Sequence, residues 1–152
     1  MNSPFSKSIA LVALALCAAT LPGAAEPVIG AACNAPKLMA ARITEQQTDV
    51  AVLRELARFT FTSTTTGCVL VQFSGEVVPG PNHFVFMSAK LDNKQGPIEK
   101  VAADSNQTET RSVAFLFRGV PAGTHVVRFQ WMTNNAGETV AVGDGVIWMH
   151  HP

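Results

Sequence analysis

Tyrosine is absent from the 152 residues, and only two tryptophans are present. A flat aromatic platform, the usual device for stacking a sugar ring, has little to be built from. Charge is scarce as well. Asp, Glu, Lys and Arg make up 14% of the chain, with 11 basic and 11 acidic residues and a formal net charge of zero. A protein that neutralises phosphates gathers surplus Lys and Arg into a stripe. No such stripe exists here, so nucleic acid is not expected as a partner. The same shortage argues against a polybasic contact with an anionic membrane surface.

Signatures of common chemistries are missing too. The four histidines, His83, His125, His150 and His151, show no HExxH or comparable metal spacing. Ser74 lacks the glycine two positions earlier that a nucleophile elbow requires. Glu76, Asp92, Glu99, Glu109, Glu138 and Asp144 are scattered, and no spacing singles out a glycosidase pair. Asp92 and Asp104 lie in polar stretches without a DxDxDG calcium loop, and Gly143-Asp144-Gly145 lacks the strand-to-helix context of a phosphate cradle. On these grounds no catalytic residue and no cofactor is assigned.

Long apolar runs are confined to the N-terminus. Lys7 precedes the stretch Ile9 to Ala19, and Gly23-Ala24-Ala25 offers a small-residue cleavage site, so residues 1–25 are expected to be a cleaved signal peptide. The run is too short to cross about 30 Å of hydrocarbon comfortably, and no later run could span a membrane. The alternative is a lipid anchor at Cys17, within Leu14-Ala15-Leu16-Cys17, although the bulky Leu16 stands where such a box holds a small residue. Residues 26–40 are then an N-terminal arm and residues 41–152 a single domain. Beyond the signal, Cys33 and Cys68 form an even pair in an exported chain, which implies one disulfide tying the arm to the domain. A secreted or periplasmic location follows.

From Phe59 onward the chain alternates strand and turn at the spacing of an all-β sandwich or barrel. Cys68 to Phe73 places Val69, Val71 and Phe73 on one face, and Arg111 to Gly119 does the same with Val113, Phe115 and Phe117. Pro79-Gly80-Pro81-Asn82 predicts a break, Asp92 to Pro97 a turn, and Ala103 to Thr110 the longest loop. In Pro121-Ala122-Gly123-Thr124-His125-Val126-Val127-Arg128-Phe129-Gln130-Trp131, strand alternation puts His125, Val127, Phe129 and Trp131 on one side. That side is apolar after its first residue. It predicts a buried Trp131 opposite Phe115 or Phe117, and a structural His125 at the strand's mouth. Asn134 to Glu138 predicts a hairpin, and the paired glycines Gly143 and Gly145 a bulge that leaves the side of Trp148 open. Residues 44–57 are ambiguous. Thr44-Glu45-Gln46-Gln47 resembles a helix capping box, while the β-branched residues favour short strands near Ile43 and over Val50 to Leu53.

The segments Gly67-Cys68-Val69-Leu70-Val71-Gln72-Phe73-Ser74-Gly75-Glu76 and Val120 to Trp131 together resemble exported bacterial proteins of unassigned function. The layout is similar to a jelly-roll sandwich of the C1q/TNF type and, less closely, to an immunoglobulin-like sandwich. The resemblance covers roughly Ala41 onward. It implies a two-sheet antiparallel β-sandwich of about eight strands and, by analogy alone, a homotrimer.

The function expected from these features is a secreted, non-catalytic module with a binding or structural role and an unspecified ligand. Candidate interface residues are Arg128, Gln130 and Met132 on one strand, with Leu116 and Arg118 on its expected neighbour, because they mix apolar groups with arginine. The alternatives are a small secreted hydrolase with a loop-built site and a metal site at Met149, His150 and His151. Copper is the metal that such soft and borderline ligands favour.

Overall fold

The computed structural model describes Cys33 and residues 35–152, residue 106 excepted, with the side chains of residues 103–105 left aside. The expected signal peptide, the Cys17 anchor and most of the arm lie outside the described residues. Among the described residues there are ten strands, where about eight were expected: β1 (Lys37–Ile43), β2 (Gln46–Thr48), β3 (Arg54–Ser63), β4 (Gly67–Val78), β5 (Gly80–Leu91), β6 (Lys94–Gln95), β7 (Glu99–Ser105), β8 (Glu109–Val120), β9 (Gly123–Thr133) and β10 (Val140–His151). The first sheet runs β1-β10-β4-β8, with β2 in line with β1 along the same edge of β10. The second runs β3-β9-β5-β6, with β7 beside β6 along β5. All pairings are antiparallel.

Alternation builds the core from both inner faces. Val69, Val71 and Phe73 of β4 meet Val127, Phe129 and Trp131 of β9, all at most 2% exposed. The ring that reaches Phe115 is Phe129, at 5.8 Å between centroids, and Phe129 also stacks on Phe73 at 6.0 Å. Trp131 is buried as its position in the alternation requires.

Several turns behave differently from their local sequence. The expected break at Pro79 to Asn82 shrinks to Pro79 alone, because Gly80 and Asn82 take positive φ (76° and 58°) and carry the chain directly from the first sheet into β5 of the second. The predicted loop from Ala103 to Thr110 is mostly strand: β7 runs to Ser105 and β8 begins at Glu109. Among the described residues β7 pairs with β5 and with no other strand, so it is an edge strand, where a polar sequence is tolerated. Asn134 to Glu138 does not close a hairpin, since β9 belongs to the second sheet and β10 to the first. Residues 44–57 contain no helix. Gln46–Thr48 pairs with β10, whereas Val50 to Leu53 forms a bend rather than the favoured strand. The backbone there is satisfied elsewhere: Thr133 N–H donates to Val50 O and Gly137 N–H to Asp49 O. Those tertiary bonds displace the helical alternative.

The bulge in β10 is where the glycines place it. The register with β4 shifts between Val142 and Gly145, and a Cβ on Gly75 would lie 2.7 Å from Gly145 Cα. Two strands approach too closely there for any side chain. Beyond the bulge Ile147 and Met149 are fully buried, which turns Trp148 to the outer face.

Candidate functional site

Two features stand out, an outer sheet face and an end of the sandwich. Cross-strand pairing aligns the outward side chains of the first sheet into rows. One row reads Leu38, His150, Leu70 and Leu116 across β1, β10, β4 and β8. The next reads Ala40, Trp148, Gln72 and Ala114, and a third Arg42, Val146, Ser74 and Ser112. Leu38 is 58% and Leu116 45% exposed, and Leu70, Trp148 and Val146 are half-buried. The first two rows carry no Asp, Glu, Lys or Arg. Charge returns at the margin, in the Arg42–Asp144 pair at 3.7 Å and the Arg111–Glu109 pair. The outer face of the second sheet is different in kind. Glu55 pairs with Arg58 and Arg128 there, and Lys100 sits 4.8 Å from the Phe84 ring centre. That face is laced with ions and suited to water.

At one end of the sandwich, the turn after β5 meets the turn after β8. His125 Nδ1 lies 2.8 Å from Asp92 Oδ2, and its Nε2 lies 3.0 Å from Pro121 O. The other carboxylate oxygen accepts the Val126 N–H at 2.8 Å, and Asp92 N–H donates back to Val126 O. A carboxylate and a carbonyl only accept, so the ring satisfies both contacts at once only when both nitrogens carry hydrogen, which is the cationic form. Accordingly the hydrogen bond that His125 donates to Asp92 raises the His125 pKa above its ordinary value, against the opposing effect of burial. For Asp92, burial alone would raise the pKa. The hydrogen bonds from His125 and Val126, with the charges of His125 and Arg128, outweigh it and hold the carboxyl below its ordinary range. The ring also packs on Phe61 at 5.3 Å. His125 is thus structural, with no nitrogen left for a ligand. Beside it opens a cavity of about 360 Å³ lined by Leu91, Phe117 and Val120, with Lys94 and Arg118 also contributing.

The other residues singled out from the sequence fall as follows. Cys33 and Cys68 form the disulfide, with Cα atoms 5.1 Å apart. Met149, His150 and His151 are not brought together. They lie on a paired strand, so Met149 and His151 face inward, at 0% and 6% exposure, while His150 points out. His151 instead packs on Phe61 at 4.6 Å, with Nδ1 2.9 Å from Pro152 O. Among the described residues no group of three His, Cys, Asp or Glu side chains is placed to hold a metal ion. The interface candidates separate as well. Leu116 and Arg118 lie on the outer face of the first sheet, and Arg128, Gln130 and Met132 on that of the second. Their strands are not neighbours, because the connection at Pro121 and Ala122 crosses between sheets. Sequence reasoning missed Leu38, Leu70 and Trp148 as companions of Leu116. Each sits at an outward position of its own strand, but only pairing shows that they share rows.

The sequence matches no family model and no curated protein. Solved structures of similar fold include a mutant VP2 protein of infectious bursal disease virus in T=1 particles, with a TM-score of 0.53 and 11% identity over 86% of this chain and 36% of that one. The VP2 subviral particle of the same virus gives 0.53 and 11% over 86% and 38%. The Gx strain gives 0.51 and 11% over 77% and 34%. This chain spans about a third of the length of those viral chains. At that identity the likeness is one of fold, a jelly-roll-like β-sandwich. No described helix is long and apolar enough to cross a membrane.

Proposed function

We propose that the protein is an exported, non-catalytic β-sandwich module that assembles with copies of itself through the outer face of the first sheet. The observation that carries this is the pair of rows without Asp, Glu, Lys or Arg from Leu38 to Leu116 and from Ala40 to Ala114. A second copy suits the face because its core offers no charge for another partner to complement. Its margin holds both signs, in Arg42, Asp144, Glu109 and Arg111, so a two-fold rotation can set unlike charges together. Four strands about 4.8 Å apart and some 20 Å long give roughly 400 Å² of face per copy. That is about half the area per partner of a standard stable interface, so the association is concentration-dependent rather than obligate. The viral chains of like fold are found in particles; a two-fold contact through this one face makes a dimer, where the C1q/TNF-type resemblance implies a trimer. The engagement of both His125 nitrogens weighs against the hydrolase alternative. The disulfide is compatible with a secreted or periplasmic location.

Sedimentation velocity across tens to hundreds of micromolar tests the proposal. The protein is expected to show rising mass with concentration. Leu116→Glu and Trp148→Glu should abolish the rise, while Thr60→Glu on the opposite face leaves it unchanged. A monomer throughout, or equal loss in all three variants, refutes the proposal.

A further inference from the structure

The cavity at the end of the sandwich points to a second property, independent of self-association. We propose that it binds a small amphiphilic anion, an apolar body carrying one carboxylate or sulfonate. Its walls include hydrocarbon from Phe117, Leu91 and Val120, each at most 7% exposed with the cavity surface included. Its volume of about 360 Å³ lies near the lower end of the roughly 300–1,000 Å³ usual for ligand pockets, which suits a short chain or a single ring.

The polar lining sets the sign. Asp92 is the acidic residue that lines the cavity, and each of its oxygens accepts one hydrogen bond, from His125 and from the Val126 N–H, while the side chain stays 45% exposed. With His125 protonated, that pair is internally neutral. Lys94 and Arg118 also border the cavity, Arg118 at its rim because its position on β8 faces outward, and neither side chain has an ion-pair or hydrogen-bond partner among the described residues. Two unspent cations beside an apolar recess favour a ligand with one anionic end, held where water solvates the rest of the charge. The site is also preformed. The Asp92–His125–Pro121 chain of hydrogen bonds ties the turn after β5 to the turn after β8, so the mouth is held open without a ligand.

The test is a titration of ¹⁵N-labelled protein with octanoate, octan-1-ol and octylammonium, each below its aggregation limit, followed by amide shifts. Octanoate should move the amides of Leu91, Asn93, Lys94, Phe117 and Val120 in a saturable way. Octanol should bind at least tenfold more weakly, and octylammonium should leave these amides still. Lys94→Gln and Arg118→Gln, both at exposed positions, should each weaken octanoate by about fivefold, as expected for partly exposed charge pairs. Together they should bring it to the level of octanol. Equal binding of all three probes, shifts confined to other residues, or undiminished octanoate binding in the folded double variant would each overturn the proposal.

Discussion

Cutting the disulfide should cost the protein about 4 kcal/mol, and the figure follows from where the bond lies. Cys33 and Cys68 are 35 residues apart. Closing a loop of about that length removes roughly 13 cal/mol/K from the unfolded chain, or about 4 kcal/mol at room temperature. The loop contains β1, β2 and β3, and β1 is an edge strand paired with β10 alone. β1 is held by its pairing with β10 and by Ile43 in the core, so removing the bond loosens the unfolded chain more than it damages the folded one. The suitable variant is Cys33→Ala with Cys68→Ala, since Cys68 is 2% exposed and a hydroxyl there would be stranded. Urea unfolding followed by tryptophan fluorescence should give a lower midpoint and a steeper slope, because an unlinked chain exposes more surface. Against a typical total of about 5–15 kcal/mol, the loss is large. A change below about 1 kcal/mol would refute the chain-entropy account. The proposed face gives a second readout: β1 supplies Leu38 and Ala40, so a folded but unlinked variant should associate more weakly.

Two further outcomes follow from the core and the end of the sandwich. Phe129→Ala should destabilise by about 3–5 kcal/mol in calorimetry, near the upper end because Phe129 is fully buried and loses ring contacts with both Phe73 and Phe115. The pH profile should carry the mark of the Asp92–His125 pair. The folded pKa of His125 lies above its ordinary 6.5, so its contribution is complete below pH 6.5 and is lost as pH rises through the raised value. That of Asp92 lies below 3.8, so its contribution is complete above pH 3.8 and is lost as pH falls through the lowered value. The pair therefore stabilises most between those two limits. Asp92→Asn should flatten the alkaline decline in thermal midpoint; an unchanged profile would show that another group causes it.

Much of the local structure was legible. The alternation that buries Val69, Val71 and Phe73, and then His125, Val127, Phe129 and Trp131, is a property of each strand taken alone, since side chains on a strand change sides at every residue. Gly143 and Gly145 announced a bulge, and at Gly145, opposite Gly75, only glycine allows the close approach of β4 and β10. His125 was identified as structural from its place at a strand's mouth, although its partners Asp92 and Pro121 come from two separate turns.

Sequence by itself determined which residues turn inward, because alternation and hydrophobicity are encoded within a single strand. It also determined the cysteine pair that closes the first loop. Tertiary structure alone decided which outward residues become neighbours. The turn between β8 and β9 crosses from one sheet to the other, so Leu116 stands with Leu70, Trp148 and Leu38 rather than with Arg128 and Met132. No short segment can specify that choice. It depends on how strands far apart in the chain pair so that both sheets bury their apolar sides at once.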